Sequence, residues 1–181
     1  MQRHCILLCL LMLTILSVGV GARPQPRQRS VRRQLDAAYA RMNYAMRQNE
    51  PVASRQLLKV LEDILAPGTL REQMLSGAKQ TVAAGGDKDL KRTRSHNIRI
   101  KKLIVQGDRA IATVVQTADV MRSDSEGEYG QKGQVHRLQG TIRYEDTWVR
   151  LNGKWKVTNT RSLKETSFVD GKPWNPKPSA R

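Results

Sequence analysis

The chain has 181 residues, 39% of them apolar, and a formal net charge of +16. This length and apolar content predict one globular domain with a core. A charge of this sign indicates anionic surroundings, such as an acidic polysaccharide or an anionic lipid surface. The few aromatic residues are not interleaved with the basic ones, and no nucleic-acid-binding motif is present. Specific binding to nucleic acid is therefore not expected.

Residues 1–22 have the composition of a cleaved signal peptide. An apolar run over residues 6–18 follows Arg3, and the segment ends in small residues at Ala22. We therefore expect a secreted or periplasmic protein. The alternative is an uncleaved anchor, although its apolar stretch is near the lower length limit for spanning a membrane. Cleavage removes one basic residue, Arg3, from the net charge of +16 and leaves +15.

Both cysteines, Cys5 and Cys9, lie in the predicted signal peptide. The mature chain would then have no disulfide, no thiolate metal site and no cysteine nucleophile. The mature histidines are His96 and His136, and the residues around them do not have the spacing of a known metal ligand set. Neither a metal site nor a cofactor is predicted.

Three helices are predicted after a basic, proline-containing segment at residues 23–30. A solvated linker is the simpler interpretation of that segment, and a polyanion-binding arm is the alternative. Apolar residues recur at helical spacing over residues 31–46, with Ser30 as a candidate N-cap. A second helix is predicted to open at Pro51, since proline suits the first helical position. A third, weaker pattern covers residues 69–84 and ends at two glycines.

The first predicted hairpin turns at Gly107 and Asp108, between two runs of alternating apolar residues. Pairing the strands outward from this turn places His96 opposite Asp119 on the apolar face. Such a pair could perform acid–base catalysis, because a carboxylate that orients an imidazole raises its basicity. The alternative is a structural pair, and a shift of one residue in register would separate the two side chains.

A second hairpin is predicted around Asn152 and Gly153, because Asn-Gly between alternating runs is a strong hairpin signal. Pairing outward from this turn sets Asp146 opposite Asn159, and Tyr144 opposite Arg161. It predicts one face that is apolar near the turn and polar farther away. The candidate ligand-pocket residues on this face are Tyr144, Asp146, Trp148, Asn159 and Arg161. The alternative is that Asp146 and Arg161 only neutralise each other.

The order of elements, with helices first and antiparallel strands after them, predicts an α+β fold. In this fold the N-terminal helices pack on one curved antiparallel sheet. The predicted domain covers residues 31–170, and residues 171–181 are predicted to form a proline-rich tail.

Both hairpins resemble the last strands of the nuclear transport factor 2-like superfamily, in particular its bacterial SnoaL-like members. The matching residues are Gly107, Asp108 and Ala110 in QGDRAIATVV, and Asp146, Trp148, Val149, Gly153 and Trp155 in YEDTWVRLNGKWKV. The resemblance implies a cystatin-like cone, in which helices close over a bent sheet with a pocket between them. Relatives commonly have a strand and a turn between the second and third helices, whereas here residues 66–69 connect the two almost directly.

The resemblance leaves three functions open, because members of one fold differ in activity. The first is a secreted SnoaL-like pocket protein that binds a small anionic or amphipathic molecule between the helices and the sheet. Ketosteroid isomerase and scytalone dehydratase suggest the second, a cofactor-free lyase, isomerase or hydrolase that uses His96 with Asp119, or Asp146 with Tyr144. The third is an envelope protein that binds a polyanion. Relatives also form homodimers through the outer side of the sheet, and this chain could do the same.

Overall fold

The computed structural model describes residues 26–174. The predicted signal peptide lies outside the described residues, as do residues 23–25 and 175–181. Within residues 26–174, none of the helices has the length and apolar character that crossing a membrane requires.

Three helices precede the sheet: α1 Pro26–Met46, α2 Val52–Ile64 and α3 Thr69–Ala83. Helix α1 begins earlier than predicted, so residues 26–30 of the predicted linker are helical and Ser30 lies inside the helix rather than at its N-cap. Proline at Pro26 suits a first helical position, because it has no N–H group to leave unpaired. The Gln28 Nε2 atom donates a hydrogen bond of 2.9 Å to the Leu103 carbonyl. This contact fastens the first turn of α1 to the sheet.

Five strands form an antiparallel meander in the order β1-β2-β3-β4-β5. They are β1 Leu90–Gln106, β2 Arg109–Ser123, β3 Val135–Leu151, β4 Lys154–Val169 and β5 Lys172–Trp174. Both predicted turns are confirmed, since Gln106 pairs with Arg109 and Leu151 pairs with Lys154. Residues 172–174, which the sequence placed in the tail, form the short edge strand β5. The α+β arrangement of helices packed against one curved, unclosed antiparallel sheet is confirmed.

The core lies between the helices and one face of this sheet, which we call the inner face. Its most deeply buried members include Leu35 of α1, Val114 of β2 and Trp148 of β3. The link between α2 and α3 also touches the sheet, because the Ala66 amide donates to the Val157 carbonyl at 2.8 Å. This single bridge lies in the short connection between the two helices. We call the opposite face of the sheet, which points away from the helices, the outer face.

A register shift in the first hairpin changes the predicted pairing. The shift lies between Ile100 and Lys102, and beyond it His96 pairs with Ala118 while Asp119 pairs with Ser95. The predicted pairing of His96 with Asp119 is therefore wrong. One extra residue in a strand moves every side chain beyond it to the other face relative to its partner strand.

A second shift has the same effect on the hairpin that contains the candidate pocket residues. Trp148 still pairs with Val157, as the turn predicts, but Thr147 pairs with Asn159. Beyond this point the pairing is displaced by one residue, so that Asp146 lies opposite Thr160 rather than Asn159. The predicted pairing of Tyr144 with Arg161 is also wrong, because Tyr144 lies opposite Ser162.

Candidate ligand-binding site

Asp146 lies on the inner face of β3 and is only 4% exposed. Its two carboxyl oxygens each accept a hydrogen bond from a neutral hydroxyl group. The Tyr39 hydroxyl donates to Oδ2 at 2.5 Å, and the Thr160 hydroxyl donates to Oδ1 at 2.7 Å. Within the described part of the chain, no Lys, Arg or His forms an ion pair with Asp146. Asp146 is therefore a buried acid without a cationic partner, which is costly in the charged form.

Tyr39 connects Asp146 to the indole of Trp148. The rings of Tyr39 and Trp148 meet edge to face, with centroids 5.6 Å apart and planes at 81°. The Trp148 Nε1 atom donates to the Tyr39 hydroxyl at 3.3 Å, and that hydroxyl in turn donates to Asp146. This chain of hydrogen bonds joins α1 to the sheet and fixes the orientation of the carboxyl group.

Burial sets the protonation behaviour of these groups. Burial raises the pKa of Asp146 above its ordinary value, while the hydrogen bonds from Tyr39 and Thr160 counteract part of that rise. Burial, and then the neighbouring Asp146 carboxylate, also raises the pKa of Tyr39 and of Tyr144. Both phenols consequently remain neutral hydrogen-bond donors near neutral pH, and Asp146 retains its proton to a higher pH than an exposed aspartate does.

A pocket of about 230 Å³ opens beside Asp146, between the three helices and the inner face. Its apolar lining residues are Met42, Leu61, Ile64, Leu65, Met74, Ile142 and Val157. Its polar lining residues are Tyr39, Gln116, Tyr144, Asp146, Thr160 and Ser162. Asp146 is the one charged residue among them. We call this cavity the Asp146 pocket.

The structure divides the candidate pocket residues between the two faces of the sheet. Tyr144 and Asp146 line the Asp146 pocket, and Trp148 lies next to it in the core, against Tyr39. Asn159 and Arg161 lie on the outer face, because the register shift in β4 turns them away from the helices. The Arg161 guanidinium donates to Glu145 at 2.6 Å. The alternative in which Asp146 and Arg161 neutralise each other is therefore also wrong.

His96 is a buried structural residue that reaches the pocket only through Gln116. Its Nδ1 lies 3.0 Å from the Asn43 Oδ1, and its Nε2 lies 3.1 Å from the Gln116 Nε2. These partners assign the ring proton to Nδ1, because an amide oxygen accepts and an amide nitrogen donates. Burial, and then the charge of Arg47, lowers the pKa of His96, so the ring is neutral. Its predicted partner Asp119 lies on the outer face and pairs with Arg137 at 2.6 Å.

Four polar residues of the pocket were not among the predicted site residues: Tyr39, Gln116, Thr160 and Ser162. Tyr39 lies on the apolar stripe of α1, where a packing role is the ordinary interpretation of an aromatic side chain. Its contact with Asp146 spans 107 residues of sequence. Thr160 depends on the register shift. Their roles follow from tertiary contacts that a local pattern does not encode.

Metal-ligating side chains do not converge within the part of the chain that the structure describes. No group of three or more His, Cys, Asp or Glu residues there is close enough together to hold a metal ion.

Comparison with known proteins gives matches among solved structures alone. No protein-family model matches the chain, and no curated protein sequence does. Similar structures include the Kfla4162 protein from Kribbella flavida, with 13% identity over 76% of this chain and 94% of that chain and a TM-score of 0.49. The intermembrane space region of chloroplast protein ARC6 has 16% identity over 75% of this chain and 95% of its own, with a TM-score of 0.47.

A protein of the nuclear transport factor 2-like superfamily from Salmonella enterica is also similar. It has 12% identity over 75% of this chain and 89% of its own, with a TM-score of 0.46. The similar structures thus include a member of the superfamily that the two hairpins resemble. At these identities and TM-scores, no activity, ligand or partner transfers from these proteins to this chain.

Proposed function

We propose that this protein binds a small, largely apolar molecule in the Asp146 pocket. The observation that supports this proposal is a buried carboxyl group that has no cationic partner within residues 26–174, next to a cavity whose walls are mostly apolar. A few polar groups converging in an apolar cavity, with a perturbed pKa among them, are typical of ligand sites. The volume of about 230 Å³ suits a small ligand.

The polar groups of the pocket favour a ligand that donates a hydrogen bond. Asp146 accepts hydrogen bonds when it is ionised, and it is the one charge in the lining. The residues that line the pocket include a carboxyl group and no Lys, Arg or His, so a ligand anion would meet no cation there. The pocket therefore does not favour the anionic ligand that the sequence suggested. It favours a ligand with an amine or an alcohol group on an apolar body.

Three probes with one apolar body and different charges test this proposal: phenethylamine, 2-phenylethanol and phenylacetate. A ligand that binds only the folded protein raises its melting temperature by mass action. We expect phenethylamine and 2-phenylethanol to raise the melting temperature at neutral pH, and phenylacetate to leave it unchanged. Stabilisation by phenylacetate alone, or by none of the three, would contradict the proposal.

Two neighbouring carboxyl groups provide the control. Because the pocket carries one negative charge, we expect phenethylamine to give a larger shift than 2-phenylethanol, and Asp146→Asn should abolish that difference by removing the charge. Glu145→Gln, one residue away on the outer face, should leave the response to all three probes intact. Equal losses in the two variants would show that the site is not the Asp146 pocket.

Acid–base catalysis is the second candidate function, and the raised pKa of Asp146 favours it. A carboxyl group whose pKa lies closer to neutral transfers protons more effectively at neutral pH. Tyr144, a neutral phenol in the same pocket, could stabilise a developing oxyanion. This would be a cofactor-free isomerase or lyase.

Exchange of the α-protons of cyclohexanone in D2O, followed by NMR, tests for this acid–base catalysis. Catalysis should disappear in Asp146→Asn, and an equal rate in that variant would exclude Asp146.

We also propose that the protein is exported and acts outside the cytoplasm. This rests on the composition of residues 1–22, which precede the described residues. Expression with these residues and mass measurement of the exported product should give a chain that begins at Arg23. A product that retains Met1 would contradict cleavage.

A further inference from the structure

A group of basic side chains occupies the middle of the outer face. Arg99 of β1 and Arg143 of β3 both pair with Val115 of the intervening strand, one from each side. Lys164 of β4 pairs with Arg143 in turn. Because paired residues share a face, three cations form a row across the sheet. The neighbouring row adds Lys102 and Arg161. We call these five residues the outer basic patch: Arg99, Lys102, Arg143, Arg161 and Lys164.

The charge of this patch is almost uncompensated. Glu145 is the one acidic residue in these two rows, and Arg161 is bound to it. Over residues 26–174, no ion pair involves Arg99, Lys102, Arg143 or Lys164. Arg143 and Lys164 also face each other directly, and like charges in opposed positions destabilise a sheet. The fold itself gains nothing from this arrangement.

Hydroxyl groups lie beside the cations. The next row across the sheet carries Thr117, Thr141 and Thr166, which pair with one another in that order and are exposed. Neighbouring strands are about 4.8 Å apart, so the cations of the first row extend over roughly 14 Å. The surface thus offers a line of positive charges next to a line of hydroxyl groups.

We infer that the outer basic patch binds a linear polysaccharide that carries carboxylate or sulfate groups. The guanidinium groups of Arg99 and Arg143 match the planar or forked oxygens of such anions, and Lys164 adds a point charge. The threonine hydroxyls can exchange hydrogen bonds with the sugar hydroxyls. This surface is separate from the Asp146 pocket, because it lies on the opposite face of the sheet.

Other occupants suit the patch less well. It contains no aromatic side chain on which the bases of a single-stranded nucleic acid could stack. Val115, the apolar side chain between Arg99 and Arg143, is half-buried and too small to enter a lipid bilayer. A second copy of the chain would bring two positively charged faces together, which opposes association through this surface. A polysaccharide needs only charge and hydrogen bonds, and the patch supplies both.

Binding of the purified protein to polygalacturonate and to dextran sulfate, measured by calorimetry at low and at high salt, tests the inference. Polygalacturonate presents carboxylates and dextran sulfate presents sulfates, so the pair identifies which anion is preferred. Uncharged dextran is the negative control. We expect binding to at least one of the acidic polysaccharides, no binding to dextran, and a weaker affinity at high salt because exposed charges are screened.

Two double variants with the same change in net charge locate the site. Arg143→Gln with Lys164→Gln should lower the affinity by roughly fivefold or more, since each exposed charge contributes modestly. Arg55→Gln with Lys59→Gln changes two exposed cations of α2, on the helical side, and should change the affinity less than twofold. Removing Arg143 and Lys164 relieves a repulsion, so this variant is expected to fold.

Three results would overturn the inference. Equal losses in the two double variants would show that net charge alone drives binding. Tighter binding to duplex DNA or to phosphatidylglycerol vesicles than to both acidic polysaccharides would assign the patch to another class of partner. Absence of binding to both acidic polysaccharides at low salt would remove the site. The response to phenethylamine should be unchanged in either double variant, so failure here leaves the Asp146 pocket to be judged by its own test.

Discussion

Asp146 and Glu145 are neighbours in sequence, but they lie on opposite faces of the sheet and have different surroundings. Asp146 is 4% exposed and is bonded to two hydroxyl groups. Glu145 is partly exposed and is bonded to the guanidinium of Arg161, which is itself exposed. In the part of the chain that the structure describes, Asp146 therefore has no cationic partner, whereas the outer basic patch holds five cations beside one acid, Glu145. This difference shows that the strand register, more than the residue type, determines which side chains can form a ligand site.

The stability of the fold also depends more strongly on each contact of the inner face than on each contact of the outer face. On the inner face, a buried polar group that loses its hydrogen-bond partner is left with an uncompensated desolvation cost. On the outer face, water and salt screen each charge, so a single ion pair contributes little. The comparison can be tested by matched substitutions on the two sides of the sheet.

The largest expected effect comes from large-to-small substitutions on the two faces of β3. Trp148 is 1% exposed, and Trp148→Ala should lower the free energy of unfolding by about 3–5 kcal/mol. Val149 is the next residue and is half-buried on the outer face, so Val149→Ala should lower it by about 1 kcal/mol or less. Urea denaturation measures both values. Similar losses in the two variants would contradict the assignment of faces.

Two tyrosines of α1 provide a second, smaller comparison. Tyr39→Phe removes the hydroxyl that donates to Asp146 and accepts from Trp148. It should lower the free energy of unfolding by about 1–3 kcal/mol, because buried partners lose their hydrogen bond. Tyr44 is 61% exposed, so Tyr44→Phe should change stability by less than about 0.5 kcal/mol. Chemical denaturation of the two variants checks this, and an unchanged stability of Tyr39→Phe would show that the network does not stabilise the fold.

The pH dependence of stability should have opposite signs for the two faces. The pKa of Asp146 is raised in the folded protein, so its contribution is fully present below the unfolded pKa and is lost as the pH rises through the folded pKa. The hydrogen bond from Arg137 is the main cause that lowers the pKa of Asp119. The contribution of Asp119 is therefore present above the unfolded pKa and is lost as the pH falls through the folded pKa.

The denaturation midpoints of the unmodified protein, Asp146→Asn and Asp119→Asn are measured between about pH 3 and about pH 8. Because proton binding is linked to folding, the pH dependence of these midpoints separates the two contributions. The advantage of the unmodified protein over Asp146→Asn should shrink as the pH rises. Its advantage over Asp119→Asn should shrink as the pH falls. The same sign of change for both variants would refute the difference in environment.

The smallest effect is expected for Arg161→Ala on the outer face. Its ion pair with Glu145 is exposed and should contribute about 0.2–1 kcal/mol to the free energy of unfolding. The substitution should not change the thermal shift that phenethylamine produces. A lost response to phenethylamine would place Arg161 in the ligand site, against the observed register.

Much of the fold could be predicted from local patterns. Helical spacing located the three helices, and the two hairpin turns were identified by Gly107 with Asp108 and by Asn152 with Gly153. Residue pairs close to a turn, such as Trp148 with Val157, were predicted correctly from the position of the turn. These features depend on residues that are neighbours in sequence, and neighbouring residues carry that information.

The candidate site was predictable only in part, because no residue pattern in this sequence marks the positions of the register shifts. The two shifts that separate the predicted partners fall at Lys101 and at Thr158, and neither residue is a glycine that would mark a bulge. Each shift changed the face of the side chains beyond it, which separated His96 from Asp119 and moved Arg161 away from Asp146. The contact between Tyr39 and Asp146 depends on how α1 packs on the sheet, which no spacing along the chain specifies.

A methyl NMR titration with phenethylamine tests the proposed pocket most directly. The account predicts chemical-shift changes at Leu61, Ile64 and Ile142, which line the Asp146 pocket, and little change at Ile111 and Val149 on the outer face. It also predicts that Asp146→Asn greatly weakens these changes. Shifts confined to the outer face, or shifts of equal size in Asp146→Asn, would contradict the claim that the inner face holds the ligand site.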